Sequence, residues 1–238
     1  MAVCYTKWTV LPHEPLVELA SNLWRVEGKM EGGTRRTMTL ARLKDGRIVI
    51  NNAIALEDEL MAKIDQWGEV AAILVPNAFH RQDVRIMHER YPNAKVFAPA
   101  RAIGAAKKAT EIAGSFADAP QDATVRISHV GGMKEREGVI EVSSDNGVTQ
   151  VYCDVLLNMP PMSGFFGFLL HPTGQFSVPR FMRWFMVSKT AETRAHLERL
   201  ASTDGLRRII PGHGNDIVGD DNGRGAGEKL REALKSFD

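Results

Sequence analysis

Apolar positions alternate with polar ones in some stretches of this chain and recur at three- to four-residue spacing in others. Leu23–Gly28 (LWRVEG) reads as a short strand. Met38–Leu43 and Arg47–Asn52 are strand-like runs either side of Lys44–Asp45–Gly46, and Asp-Gly between such runs predicts a hairpin. Between Leu56 and Trp67, the residues Leu56, Leu60, Ile64 and Trp67 fall at helical spacing, with Glu57 and Asp58 in the first turn, where acids suit the helix dipole. Val70–Asn77 is a continuous apolar run closed by Pro76, the pattern of a strand buried on both faces. A helix with Val84, Met87 and His88 on one face follows, then a buried strand over Ala94–Ala100, an Ala-rich, helix-prone stretch over 100–114, and an alternating strand over Thr124–Val130.

The second half begins with another hairpin, Gly138–Ser144 and Val148–Leu157 around Asp145–Asn146–Gly147. A long irregular region rich in Gly, Pro and Phe comes next. A helix over Thr190–Ser202 starts at a plausible Thr cap, Arg207–Gly214 forms the last strand and its turn, and Glu228–Phe237 is an amphipathic helix. Hairpins in each half, strand–helix–strand units between them and no short-period repeat predict one domain over 1–238, with mixed sheets and helices outside.

Composition changes this picture little. The 238 residues are 44% hydrophobic and 25% charged, an ordinary globular balance ample for a large core. A net charge of +1 supplies no global field toward nucleic acid or membrane, so neither is an expected partner, local patches aside. Cys4 and Cys153 are too few for a disulfide framework and form no metal knuckle, which predicts reduced thiols in a cytoplasmic setting. The N-terminal stretch lacks the apolar core of a signal peptide, and the longest apolar patch, Gly164–Leu170, is too short to span a bilayer.

The candidate chemistry begins with RRIIPGHGN, Arg207–Asn215, in which a His stands between two glycines at a strand end. Glycine lets backbone approach a partner closely, so His213 is poised to be aimed at a metal or a substrate. Five pieces in order resemble the metallo-β-lactamase fold superfamily: the opening hairpin MTLARLKDGRIVINNA, the ILVPNAFH turn, SHVGGM, VYCDVLL and RRIIPGHGN. The resemblance covers roughly Leu23–Asn215 and is closest to a bacterial branch sharing a PNAFH-like turn followed by YPNAKVFAPA. It implies an α/β (α+β) fold, a four-layer αβ/βα sandwich of two mixed sheets with helices on both outer faces. It also implies metal ions held by His and carboxylate side chains, with an open position for water.

Measured against that family's ligand pattern, Asn77 and Phe79 fall at the first two His positions, Arg81 and Gln82 at the next Asp and His, and Met133 at the mid-chain His. A guanidinium cannot ligate a cation, so the two-metal site is expected to be lost and the motif degenerate. Asp154 and His213 remain as metal and catalytic candidates, His80 is the nearest spare imidazole, and Asp83 is a carboxylate in the same turn. Three of these would make one open site for a zinc, manganese or iron ion; the alternative is no metal, with His213 bonded to backbone or to Asp154.

Blander readings stand beside these. His80 reads as capping or starting the following helix, His88 as packing, His129 as a loop residue, and His13, His171 and His196 as having no partner in sequence. Cys153 beside Asp154 reads as an inert thiol, because an adjacent acid raises its pKa. The stretch 163–187 reads as a flap, with six Phe, Trp184, two Met, Arg180 and Arg183. It could cover the site, bind a small apolar or anionic molecule, or pair two copies of the chain through Phe165, Phe166, Phe168, Phe181 and Trp184. Two functions follow: a weak or altered hydrolase of an ester- or amide-like substrate, or a non-catalytic binding or dimerising protein.

Overall fold

The computed structural model describes residues 4–31, 33–220 and 225–237. Residues 1–3 of the stretch read for a signal peptide lie outside these. Two sheets carry the fold. The first has seven strands in the order β1 (Val17–Ala20), β2 (Leu23–Lys29), β3 (Arg35–Arg42), β4 (Ile48–Asn51), β5 (Val70–Leu74), β6 (Lys95–Ala98) and β7 (Gly114–Ser115). Its first four strands pair antiparallel and its last four parallel. The second contains β8 (Val125–His129), β9 (Gly138–Ser144), β10 (Gly147–Val151), β11 (Leu206–Ile210) and β12 (Ile217–Val218), ordered β12-β11-β10-β9-β8, with β10 and β11 parallel.

Three apolar clusters sort these elements into layers. Leu43, Val49, Leu74 and Phe97 of the first sheet meet Val125, Ile140, Val151 and Ile210 of the second between the two sheets. Ile48 and Ile50, flanking Val49 in sequence, face the other way and pack on α1 (Asp58–Trp67), α2 (Val84–Arg90) and α3 (Ile103–Ala106). Leu206 and Ile209 turn outward onto α5 (Thr190–Ala201) and α6 (Ala226–Leu234). Helix–sheet–sheet–helix is the four-layer sandwich that the sequence led one to expect.

Several boundaries moved, each for a local reason. Helix α1 begins at Asp58 rather than Leu56, because Leu56 is wholly buried before the helix and its carbonyl accepts Trp8 Nε1–H at 3.0 Å. Thr190 is the first helical residue of α5, not its cap; Lys189 holds the capping position and gives no side-chain bond. The stretch 100–114 is helical only over Ile103–Ala106, since β6 recruits Gly114 and Ser115 as its edge partner. Strand β10 stops at Val151, so Asp154 stands on the loop beyond it. Strand β12 follows the PGHG turn, which is therefore not the end of the sheet. The flap stretch contains α4 (Gly164–Leu169) and a π-helical turn over Met182–Met186.

Candidate functional site

The candidate residues converge where parallel strands end. His80 follows β5, Asp154 follows β10, and His213 follows β11, the parallel neighbour of β10. Here the two glycines around His213 find their cause. A Cβ on Gly212 would lie 2.9 Å from Cys153 Cα, and Gly214 has a φ of +91° with Asn158 O only 2.0 Å from where its Cβ would be. Both positions demand the residue without a side chain. Their close approach seats His213 against the Asp154 loop, tied by Gly212 N–H to Cys153 O at 3.1 Å and Asn158 N–H to His213 O at 3.1 Å.

Three donor atoms form a near-equilateral triangle. His80 Nε2 lies 3.1 Å from Asp154 Oδ1, His213 Nε2 lies 3.2 Å from the same oxygen, and the two Nε2 atoms are 3.2 Å apart. His80 and His213 are buried, and Asp154 has the most exposed side chain of the three, at 16%. The outer nitrogens are already committed. His213 Nδ1 bonds the Arg35 carbonyl, which can only accept. Asn52 Nδ2 donates to Thr37 O at 2.8 Å, turning Asn52 Oδ1 toward His80 Nδ1 at 3.2 Å. Both Nδ1 atoms therefore carry the proton, and both Nε2 atoms direct their remaining capacity at the carboxylate and at each other.

The surroundings set the charge. Burial opposes ionisation of Asp154, but His80 and His213 outweigh it and hold its carboxyl well below the usual range. Burial likewise works against a charged His213, and the Asp154 carboxylate reverses that and raises it. His80 stays lowered, with burial dominant over Asp154. Asp154 Oδ2 accepts Asn77 Nδ2–H at 2.8 Å, and the same amide reaches Glu137 Oε2 at 3.1 Å. Glu137 is wholly buried, and burial, followed by the Asp154 charge beside it, pushes it up to about 8.

Other expectations need correcting. Asp83 is not free to ligate: the buried Arg36 guanidinium pairs with it, and Ala55 N–H donates to its other oxygen at 3.2 Å. Arg81 does not fill a vacated metal position but turns away to the Ala105 carbonyl at 2.5 Å, and Gln82 Nε2 lies by Met30 Sδ. His80 starts no helix; α2 begins at Val84 behind Asp83. Asn77, read as a lost ligand, has become the amide that fixes Asp154. His13 pairs with Glu57 at 2.5 Å, and His196 Nδ1 accepts Gly131 N–H. His88 is half-buried and bonds Thr110 Oγ1 at 2.7 Å. His129 stacks against Phe116. Met133 is fully buried in the outer core of the second sheet. Burial, ahead of the neighbouring Asp154 and Glu137 charges, drives the Cys153 thiol far up, in line with an inert residue.

Arg36 and Glu137 escaped the reading from sequence. Arg36 did leave a signal: it shares a strand face with Met38 and Leu40, both fully buried. Its Nη1 donates to Ala53 O at 2.8 Å and to Asn52 Oδ1 at 3.3 Å, so it braces the residue that orients His80. Glu137 looked like one more charge in KEREG, and only its odd-numbered register with Val139 hinted at burial.

The triangle fits a metal ion. Zinc bonded to imidazole nitrogen and carboxylate oxygen at about 2.0–2.1 Å places tetrahedral ligands ~3.3 Å from one another, close to the three separations here. Each imidazole donates its outer N–H to an oxygen, the arrangement that orients ligating histidines. Cys153 Sγ lies within 4.8 Å of the His80 and Asp154 donors, but a protonated thiol is a poor ligand, and His213 makes the tighter set. Beside the His213 turn lies a cleft of about 680 Å³ walled by Arg35, Met159, Pro161, Met162 and Asn215.

No family model matches the chain, and comparison with curated proteins finds no match. Solved structures do match. The metallo-β-lactamase DIM-1 superposes with a TM-score of 0.64 at 10% identity, covering 96% of this chain and 100% of that one. A metallo-β-lactamase from Hirschia baltica gives 0.60 at 14% identity over 95% and 98%. FIM-1 from Pseudomonas aeruginosa, solved in its mono-zinc form, gives 0.60 at 12% identity over 95% and 96%.

Proposed function

From a chain with the metallo-β-lactamase fold, we propose a mononuclear metal-dependent hydrolase in which His80, Asp154 and His213 hold one divalent ion. The observation that carries this reading is the triangle itself: two imidazole nitrogens and a carboxylate oxygen face each other at 3.1–3.2 Å while the outer nitrogens of both rings are held by oxygens. Two lone pairs and a carboxylate at about 3 Å repel unless a cation lies among them. Bound there, a zinc, manganese or iron ion supplies Lewis acidity, which lowers the pKa of water toward neutrality. The chain's own residues do the rest. Asn77 holds Asp154 in one rotamer, Asn52 and Arg35 O fix both imidazole tautomers, and the Asp154 edge is the part open to an ester- or amide-like substrate. The mono-zinc form of FIM-1 is a structural neighbour with the same metal count.

A second reading has its own support. Asp154 and a protonated His213 at 3.2 Å form a closed ion pair that needs no metal, leaving a non-catalytic binding protein. Metal analysis separates the two. Protein purified without added metal, then incubated with zinc, manganese or iron and desalted, is expected to carry close to one ion per chain and to melt higher than the stripped form. Asp154→Ala should carry none and show no such shift. Wild-type protein that holds no ion after all three incubations overturns the hydrolase reading.

A further inference from the structure

Among the described residues, the exposed aromatic rings gather in one place. Phe165 is 71% exposed, Phe166 67%, Phe185 59%, Trp184 55% and Phe168 53%. They fall into three groups within 165–185: Phe165 touches Phe166 at 5.9 Å between centroids, Phe168 touches Trp184 at 5.9 Å, and Phe185 touches Phe181, which reaches Phe79, next to His80, at 5.7 Å. Exposed apolar surface of this kind marks an interaction.

Its charge is one-sided. Between Asp154 and Glu192 the sequence holds no Asp or Glu, yet it holds Arg180 and Arg183. Arg180 stacks over Phe168 at 4.8 Å, and Arg183 bonds the Ser236 carbonyl. Neither pairs with a carboxylate among the described residues, although the Nε of Arg183 is itself buried. Burial and then the neighbouring Arg180 lower Arg183, as expected of two cations side by side. A second copy of the chain is a poor occupant, because a two-fold interface sets the same face against itself and this stretch offers no carboxylate to meet the copy's guanidiniums. A small molecule is a poor one too: rings two-thirds exposed on a short helix protrude instead of lining a hollow.

We propose that this face docks on the surface of an anionic phospholipid bilayer, with Phe165, Phe166 and Trp184 entering the headgroup–acyl boundary and Arg180 and Arg183 meeting lipid phosphates. Aromatic rings flanked by basic residues are the chemistry of interfacial attachment. The near-neutral average charge of the sequence led to the expectation of no membrane partner, whereas the charge this proposal uses is local. No helix among the described residues is long and apolar enough to cross a membrane. The docking does not depend on a metal.

Flotation with vesicles tests it, in buffer containing EDTA so that the metal question stays separate. Wild-type protein should float with vesicles of equal parts phosphatidylcholine and phosphatidylserine, with a blue shift of tryptophan emission that Trp184→Phe loses, and float far less with phosphatidylcholine alone. The double variant Phe165→Ser/Phe166→Ser should lose at least tenfold in binding, and Arg180→Gln about fivefold, the weight of one basic residue near such a surface. Circular dichroism of each variant confirms folding. No flotation of the wild type, equal binding to the neutral vesicles, or undiminished binding of the Phe variant would each overturn the proposal. So would a wild-type dimer in sedimentation that the Phe variant converts to monomer.

Discussion

The strand-end cluster and the aromatic face are opposite cases. In the cluster, Arg36 meets Asp83 and Asn52, Asn77 meets Asp154 and Glu137, and three donor atoms are left aimed inward at one point. On the face, rings and guanidiniums are left over and aimed outward. A point imbalance inside a fold is met by a small ion. A broad one outside it is met only by another body. The difference also concerns stability: residues that hold the cluster are tied into the fold, while those of the face are not. Substitutions in the first region should therefore cost stability whatever they do to function, and substitutions in the second should not.

The largest effect is expected at Arg36. Its side chain and that of Asp83 are each only 3% exposed. Burial already raises Asp83, against the lowering effect of Arg36 and the Ala55 amide. Arg36→Met leaves that carboxylate buried without its cation and should cost about 3–5 kcal/mol in urea unfolding. Adding Asp83→Leu should recover much of the loss, since replacing both partners by apolar groups removes the unpaired charge. A single-variant loss under about 1 kcal/mol would erase the contrast between the two regions, because the cluster would then be no more tied into the fold than the face.

That contrast was only half legible in the chain. The hairpins and helices are local patterns, set by period and by turn residues, and they were readable. The PGHG turn was readable too, because a backbone contact that excludes any Cβ leaves glycine as its mark. The burial of Arg36 left a trace in its strand face, but its partner did not, since Asp83 lies 47 positions away. The same distance effect turned Asn77 from a missing ligand into an anchor for Asp154, 77 positions on. On the face, the ring count was plain from the sequence, but exposure was not, because the same Phe-rich run could equally have been core.

Asp122 sharpens the comparison by separating partners from place. It lies outside the cluster yet is rich in donors: Lys44 N–H at 2.7 Å on one oxygen, and on the other Thr124 N–H and Oγ1–H at 2.7 Å and Val125 N–H at 3.0 Å. It thus ties the first sheet's hairpin turn to the start of β8. Partial burial opposes its ionisation, but the Lys44, Thr124 and Val125 donors prevail and lower it to about 2. A depressed carboxyl stabilises the fold above its unfolded pKa and loses that contribution as pH falls through the folded one. Asp122→Asn should cost about 1 kcal/mol at pH 6, after allowance for exposure. Acid titrations of both proteins should show the gap closing between roughly pH 4 and 2. A gap that stays constant to pH 2 would mean the tie is not ionic.

The smallest effect belongs to the face. Phe165 and Phe166 touch each other at 5.9 Å and otherwise look outward, and the Cβ position at neighbouring Gly164 has no atom within 4 Å. Little apolar area leaves water when this helix forms, so little is lost when its rings are removed. Phe165→Ser/Phe166→Ser should change the unfolding free energy from urea titration by less than about 0.5 kcal/mol, the range of ordinary surface substitutions, with an unchanged slope. The same variant is the one expected to lose at least tenfold in vesicle binding, so a single protein carries both halves of the contrast. A loss of 2 kcal/mol or more, as buried Phe residues give, would show instead that these rings close over the body as a flap, and the face would join the cluster as part of the fold.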